Sequence, residues 1–305
     1  MNNKPTVTIG IPAYNEEANI SHLLKTVCSQ NGNHISIKKI MVISDKSTDN
    51  TDYLIEKQPD SRVKLIRNDV RLGNALTQNR ILKETNTDYL IILDADILLV
   101  GKNAIFKIIQ TFSDNKNIGL VAGTIIPLKP QNLLEKVLLF SVGMKEELYM
   151  RIKNGNNLYN CNGRFRAFSK EFYKILRWEA VVGEDAFSYF SCLSNGFQFR
   201  YADQAKAYYK LPHTLKDHLK QSVRFHNTYK ELEDYFNGLV SQEVKIPVNI
   251  FLKTASRHFV KNPFLFILYL SLFIYTKFIA TLNKDNNHVW DISHSSKKLF
   301  NYGKS

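Results

Sequence analysis

Short apolar runs alternate with amphipathic stretches over the first hundred residues. Strand-like runs rich in Val, Ile and Leu lie at residues 7–11, 39–43, 63–66 and 89–93. Apolar residues at helical spacing lie between them, at residues 18–29, 47–55 and 73–83. This order predicts right-handed strand–helix–strand crossovers and an α/β fold, with a mostly parallel sheet covered by helices on both faces.

The alternation loosens after Gly101, but no repeat or low-complexity linker interrupts the chain. Helices are predicted at residues 104–111, 133–151, 184–193 and 215–235. Strands are predicted at residues 118–126 and 197–201, with a loop or hairpin at 155–166. We therefore expect one domain over residues 1–235, followed by a helical region over residues 236–305.

Acidic side chains follow all four strands of the first half. They are Glu16, Asp45, Asp69, Asp94 and Asp96. In open parallel sheets, ligands bind beyond the carboxyl ends of the strands. One such carboxylate is an ordinary loop residue, but a series of them on one rim indicates a binding site.

Asp94 and Asp96 are separated by one residue at the end of a buried strand. Two carboxylates at this spacing can share a hard cation, and Mg²⁺ or Mn²⁺ would keep open positions for substrate phosphates. Such a metal would neutralise a leaving diphosphate. The alternative is a pair of solvated aspartates in a turn.

Six short motifs follow one another along residues 6–230. They are I-P-A-Y-N-E-E at 11–17, V-I-S-D-K-S-T-D-N-T at 42–51, R-L-G-N at 71–74, D-A-D at 94–96, G-E-D at 183–185 and Q-S-V-R-F at 221–225. In this combination the chain resembles a family 2 glycosyltransferase with the GT-A fold, a Rossmann-like sheet flanked by helices. The resemblance implies inverting, metal-dependent sugar transfer, with residues 1–100 binding the nucleotide-sugar and residues 101–235 forming the acceptor half.

The resemblance also implies a UDP- or GDP-sugar as donor. The residues it places around that donor are Pro12, Tyr14, Glu16, Asp45, Arg71 and Asp94. Asp45 would accept a hydrogen bond from the base, since an ionised carboxylate suits the N–H edge of uracil or guanine. Ser44 and Lys46 depart from the family pattern, which has Asp and Gly there, and Lys46 leaves the turn geometry and the nucleotide open.

Asp185 is the predicted general base, because inverting transfer needs a carboxylate opposite the leaving diphosphate. Glu184 would shape the acceptor pocket, while Gln221, Arg224 and Phe225 would contact acceptor or diphosphate. The alternative for the acidic pair is a helix N-terminus stabilised by the helix dipole. Phe225 lacks the indole N–H of the family's usual Trp, which argues against a processive polymerase.

Three further residues have two interpretations each. Arg164 and Arg166 are either phosphate or acceptor contacts or solvated strand residues. His213, in a loop bounded by Pro212, is either a metal ligand or a packing residue.

The charge of the chain is uneven. The formal net charge is +13, of which residues 1–150 contribute +2 and residues 151–305 contribute +11. Residues 263–282 are apolar on nearly every face, and basic residues flank both ends equally. We expect this segment to attach the protein to the anionic cytoplasmic face of the cell membrane, by lying on the bilayer or by crossing it once; a buried core helix is the alternative.

Composition and the absence of certain motifs narrow the remaining classes of function. Three cysteines fit no metal spacing and indicate a reducing compartment, and the polar first residues predict no signal peptide. No basic helix with interleaved aromatics supports nucleic-acid binding, and no G-x-G-x-x-G follows the first strand. The predicted function is sugar transfer to a saccharide or lipid-linked acceptor in cell-surface polysaccharide or glycolipid synthesis; the alternatives are a polyprenyl-phosphate sugar synthase and a non-catalytic nucleotide-sugar-binding protein.

Overall fold

One mixed sheet forms the centre of the protein. The computed structural model describes residues 4–181, 183–282 and 299, without the side chains of residues 223–228 and 230. Within these residues the strands lie in the order β3-β2-β1-β4-β7-β6-β8-β5. The strands are β1 (Thr6–Ala13), β2 (Ser36–Ser44), β3 (Val63–Arg67), β4 (Tyr89–Leu93), β5 (Ile97–Leu99), β6 (Ile118–Pro127), β7 (Phe165–Ser169) and β8 (Gln198–Tyr209).

The first four strands form the predicted parallel half. β1 pairs in parallel with β2 and β4, and β2 pairs in parallel with β3. Ile9 lies opposite both Ile40 and Ile91, so the centre of this half is apolar on consecutive strands. Continuous apolar runs are typical of parallel strands buried on both faces, and this part of the prediction is confirmed.

The second half of the sheet is mixed. β7 pairs antiparallel with both β4 and β6, whereas β6 and β8 are parallel and the short β5 lies antiparallel to β8. The loop or hairpin expected at residues 155–166 is a loop with short 3₁₀ turns leading into β7. β8 is longer than the predicted residues 197–201, because it continues past an irregularity opposite Gly123 and Thr124 to pair with β5.

Helices cover both faces of the sheet. They are α1 (Ile20–Cys28), α2 (Thr51–Glu56), α3 (Asn74–Lys83), α4 (Ala104–Gln110), α5 (Leu133–Met150), α6 (Lys170–Ile175), α7 (Glu184–Ser194), α8 (Leu215–Phe236), α9 (Leu239–Glu243), α10 (Val248–Lys261) and α11 (Pro263–Leu282). Side-chain caps fix several starts: Asn132 accepts from Glu135 N–H, Ser169 from Phe172 N–H and Thr214 from Asp217 N–H.

Two apolar clusters lie on opposite faces of the sheet. One is built around Ile9 and Leu24 of β1 and α1, and the other around Ile81 and Phe190 of α3 and α7. Gly10 permits the close approach of α3, since a Cβ at this position would lie 2.3 Å from Ile81 Cγ2.

α11 has the bounds predicted from the sequence and packs against α5 and α8. Thr276 and Ala280 are buried, whereas Phe264, Ile267 and Phe278 are exposed. The helix is long and apolar enough to cross a membrane, and only 11% of its window Pro263–Thr281 is buried in the fold. The alternative of a buried core helix is therefore not supported.

Candidate active site

The turn after β4 places two carboxylates at the rim of the sheet. Asp94 and Asp96 are both partly buried, and the Asp94 N–H donates to the Arg164 carbonyl at 3.0 Å. Burial, followed by the charge of Asp96, raises the pKa of Asp94 to about 6. Arg164 and Arg166 oppose this shift, and Asp185 adds to it. The pair therefore carries more negative charge than its surroundings balance.

These oxygens fit a divalent cation with an incomplete protein ligand set. Hard cations prefer carboxylate oxygens, and a cation would offset the repulsion that raises the pKa of Asp94. Among the described residues, no group of three or more His, Cys, Asp or Glu side chains could hold a metal. Asp94 and Asp96 would thus share the ion with oxygens of a ligand such as a diphosphate.

Arg166 of β7 is fully buried, and its charge acts on Asp94. Its guanidinium donates to Ser188 Oγ at 2.8 Å, Gln78 Oε1 at 3.0 Å and the Glu184 carbonyl at 3.2 Å. This network ties β7 to α3 and to the start of α7, so Arg166 is neither solvated nor directed at a ligand. Arg164, two residues earlier, stacks its guanidinium 4.7 Å from the centre of the Tyr209 ring.

The predicted base lies at the N-terminus of α7. Glu184 is buried and accepts from Asn74 Nδ2 at 3.0 Å, while Asp185 Oδ1 accepts from the Ala186 N–H at 2.8 Å. Gly163 packs against both acids: a Cβ there would lie 3.1 Å from Glu184 Oε1 and 3.7 Å from Asp185 Oδ2. The two motifs, ninety residues apart in the chain, therefore converge near the start of β7.

Tyr14, Asp45 and Arg71 form a second group on the same rim. The Arg71 guanidinium lies 3.9 Å from the centre of the Tyr14 ring. Buried Asp45 accepts from the Leu72 and Gly73 N–H groups, each at 2.8 Å. Asp45 also accepts from Asn68 Nδ2 at 2.8 Å. In this state Asp45 holds the loop that presents Arg71, and its contact with a base stays a prediction.

The turn after β2 keeps the geometry that the family's glycine favours. Lys46 has a φ of 63°, so a lysine occupies the left-handed conformation. Asn15, with a φ of 52°, joins the neighbouring turn to this one: its Oδ1 accepts from the Thr48 N–H at 2.8 Å. The departure at Lys46 therefore changes the side chain and leaves the turn in place.

Pro12 and Glu16 flank this group differently. Pro12 is half-buried at the end of β1. Glu16 is buried and accepts from Asn19 Nδ2 at 2.9 Å, and its N–H donates to Thr51 Oγ1 at 2.7 Å. Glu16 thus links the starts of α1 and α2, and its predicted place beside the nucleoside is untested.

Comparison with known protein families identifies the family to which this chain belongs. The profile described as "Glycosyl transferase family 2" matches residues 8–176, more than half of the chain. The chain belongs to this family.

Relatives of this family 2 glycosyltransferase include polymer synthases. A poly-β-1,6-N-acetyl-D-glucosamine synthase from Staphylococcus epidermidis is 25% identical over 272 residues, covering 87% of this chain and 64% of the relative. The synthase of Staphylococcus aureus strain COL is 26% identical over 257 residues, covering 80% of this chain and 60% of the relative. The chain therefore spans less than two thirds of these relatives.

Solved structures share the GT-A fold of the family 2 chain. The mannosyltransferase PcManGT from Pyrobaculum calidifontis, in complex with GDP-Man and Mn²⁺, has a TM-score of 0.60 at 16% identity, covering 93% of this chain and 82% of its own. Residues 1–349 of S. aureus TarS, in complex with UDP-GlcNAc, have a TM-score of 0.54 at 15% identity, covering 84% and 73%.

The residues predicted to contact the acceptor are less completely described. Gln221 lies half-buried on α8, and its contact with acceptor or diphosphate stays a prediction. The side chains of Arg224 and Phe225 lie outside the described residues. Tyr229, also on α8, is a neighbour of the site that the sequence analysis missed: burial and then the charge of Asp185 raise the pKa of its phenol. Helical spacing from Gln221 was the available signal, since residues eight apart share a helix face.

His213 has a structural role in this chain. Its Nδ1 lies 3.0 Å from Glu135 Oε1 and 3.1 Å from Asn132 Nδ2 at the start of α5. The contacts join the loop before α8 to the cap of α5, which favours the packing interpretation over a metal ligand.

Proposed function

We propose that this family 2 glycosyltransferase moves a sugar from a UDP-sugar to an acceptor hydroxyl with inversion, using Mg²⁺ or Mn²⁺. The observation that carries the proposal is the proximity of Asp94 to Asp96 and Asp185, whose charges both act on the Asp94 carboxyl and raise its pKa. Two carboxylates share one end of the site, and a third lies at the start of a different helix. This separation suits a metal-bound leaving group and a distant base.

Donor binding is assigned to the rim residues. Asp94 and Asp96 would hold the metal, which when bound neutralises the charge of the departing diphosphate. Arg71, stacked on Tyr14, offers a cation to the nucleotide. Arg166 fixes the backbone around the site and needs no direct contact with the donor.

Asp185 is assigned the proton transfer. Its carboxylate takes the proton of the acceptor hydroxyl while that oxygen forms a bond to the anomeric carbon. The bond from the anomeric carbon to the diphosphate breaks, and its electron pair leaves with UDP. Asp185 lies in the first turn of α7, where the helix dipole interacts favourably with a carboxylate.

We favour UDP over GDP and N-acetylglucosamine as the sugar. The relatives are named as poly-N-acetylglucosamine synthases, and TarS shares the fold with UDP-GlcNAc bound. The similarity to PcManGT with GDP-Man keeps the guanine nucleotide as the competitor. A growing saccharide or a lipid-linked sugar would be the acceptor.

Release of UDP from UDP-GlcNAc, with and without Mn²⁺, tests the assignment. We expect Mn²⁺-dependent turnover that is lost in Asp96→Asn and retained in Asp114→Asn, an exposed acid near the start of β6 and away from the catalytic rim. GDP-Man run in parallel decides the nucleotide. Wild-type binding of UDP without turnover of any donor would instead support the non-catalytic alternative.

We also propose that α10 and α11 attach the protein to an anionic membrane surface. Both helices carry exposed apolar side chains, and Lys253, Arg257 and Lys261 lie on α10. Co-flotation with phosphatidylglycerol vesicles tests this. Phe264→Ser, Ile267→Ser and Phe278→Ser combined should abolish flotation, and equal flotation of this variant and the wild type would refute the attachment surface.

A further inference from the structure

Lys145 occupies an unusual position on α5. α11 packs across α5 and α8, and Lys145 Nζ lies 6.0 Å from the centre of the Tyr269 ring of α11. Burial lowers the pKa of Lys145. Among the described residues, no carboxylate lies within ion-pair distance of it. A partly buried ammonium without a counter-charge costs stability, which a bound anion would offset.

The acids next to Lys145 in the chain do not serve as its partner. Glu147 binds Arg257 and His258 of α10, with His258 Nε2 at 3.1 Å from Glu147 Oε2. Glu146 is exposed to solvent. Lys145 is therefore directed toward α8 and α11, away from these carboxylates.

His218 of α8 adds a neutral polar group to the same place. Burial, followed by the charge of Lys145, lowers the pKa of His218 to about 4, so the imidazole is neutral at pH 7. Its Nε2 lies 3.5 Å from Ser222 Oγ. The Lys145 ammonium offers donors that suit phosphate oxygens, and the neutral His218–Ser222 pair keeps one further proton to donate beyond the hydrogen bond between them.

Four tyrosines, here called the tyrosine cluster, join this place to the catalytic site. Tyr149 stacks on Tyr159 with the ring centres 4.6 Å apart. The pKa of Tyr149 is raised by burial and by its neighbours Tyr159, Tyr229 and Tyr269. Tyr229 in turn lies close to Asp185. The cluster thus extends from the predicted base to the ring beside Lys145.

Half-buried tyrosines suit a saccharide, because each has an apolar face and a polar hydroxyl. The outer face of α11 beside them is apolar, with Leu270, Phe273 and Ile274 exposed. A ligand that used all of these features would carry a sugar, an anionic group and an apolar chain.

We propose that Lys145 binds the phosphate of a lipid-linked acceptor whose sugar lies along the tyrosine cluster toward Asp185 and whose apolar chain lies along α11. This inference rests on the proposed transferase function and names the acceptor class. The same phosphate chemistry occurs in membrane phospholipids and in free phosphate, so the test separates these sources.

Binding of farnesyl phosphate to the full chain in detergent micelles is the test. Farnesol supplies the chain without the charge, and inorganic phosphate the charge without the chain. We expect farnesyl phosphate to bind at least about tenfold more tightly than farnesol. Lys145→Gln should remove that preference, and Lys145→Arg should keep most of it. Lys136→Gln, an exposed lysine on the same helix, is the matched control and should behave as the wild type.

Three outcomes overturn the proposal. They are equal binding of farnesol and farnesyl phosphate, an unchanged preference in Lys145→Gln, and displacement by phosphatidylglycerol at equal concentration, which would make the place a site for bilayer phospholipid. Unfolding of Lys145→Gln is checked by its thermal melting temperature. Release of nucleotide from UDP-GlcNAc and GDP-Man by the wild type with Mn²⁺, measured in parallel, tests the transferase function independently of Lys145.

Discussion

The rim of the sheet that carries Asp45, Asp94 and Asp185 differs from the α10–α11 surface in how its side chains are partnered. At the rim, buried polar groups such as Asp45, Arg166 and Glu184 bind partners on other elements of the chain. On α10 and α11, large apolar side chains such as Val260 and Phe264 are 79% and 63% exposed. These three rim groups have partners within the protein before any ligand binds, whereas α10 and α11 leave large apolar side chains uncovered.

This difference predicts how each region responds to substitution. A buried polar network loses several hydrogen bonds when one member is removed, so both stability and geometry change. An exposed apolar face loses little in the folded protein, and its substitution affects only what binds there. Substitution at the rim should therefore change both activity and stability, whereas substitution on the exposed face of α10 and α11 should leave stability nearly unchanged.

The largest effect is expected at the rim from Asp185→Asn. The amide cannot take a proton, so the transfer rate should fall by about 10²- to 10⁴-fold while UDP still binds. Steady-state UDP release and calorimetric UDP binding measure the two quantities. Asp114→Asn serves as control; a transfer rate within twofold of wild type in Asp185→Asn would exclude the residue as base.

Arg166→Met should have the next largest effect, this time on the fold. The substitution orphans acceptors on Gln78, Ser188 and Glu184, although it also removes a buried charge. We expect the free energy of unfolding to fall by roughly 2–4 kcal/mol. Arg200→Met, whose partners are local, is the control in urea denaturation. Equal losses in the free energy of unfolding of the two variants would mean that the Arg166 network contributes no more to stability than the local contacts of Arg200.

A smaller effect is expected from pH near the boundary between the two regions. The folded-state pKa of His218 is about 4, below its usual value of 6.5. The unfolded chain therefore binds the proton first, and stability should fall as pH drops from 6.5 toward 4. His218→Asn should flatten this part of the profile, and the exposed His34→Asn should not. If wild type and His218→Asn lose the same stability as the pH drops from 6.5 toward 4, the lowered pKa of His218 is not the cause of that loss.

The smallest change in stability is expected on α11. Phe264→Ser, Ile267→Ser and Phe278→Ser each replace an exposed side chain, so each should alter the free energy of unfolding by no more than about 0.5 kcal/mol. Ala280→Ser, on the buried face, is the contrast and should cost more. A large loss from the exposed positions would show that this face packs against protein.

Local sequence pattern was sufficient for much of the fold. The parallel strands β1 to β4 and the bounds of α11 follow from short-range periodicity, which is a property of neighbouring residues. The motifs also identified Asp94, Asp96 and Asp185, and the structure brings Asp94 near enough to the other two for their charges to raise its pKa. Their catalytic and metal-binding roles remain predictions.

Other features depend on pairing between distant segments. The direction of β7 and the three-residue β5 are set by their partners, so no local period reveals them. α10 lies in the helical region predicted over residues 236–305, but its bounds were not predicted, because its composition is mixed. The burial of Arg166 could not be predicted either, because a charged residue in a strand is expected at the surface until its partners are known.

The antiparallel strand β7 also affects the order in which the strands of the sheet can pair during synthesis. The first four strands can assemble as soon as β4 has been made, but the free edge of β4 waits for residues Phe165–Ser169 to close it. At roughly 5–20 residues per second, this interval lasts several seconds. During it the nascent chain exposes an apolar strand edge of the kind that recruits other strands. The turn that carries the paired aspartates is thus completed late, by a segment from the other half of the protein.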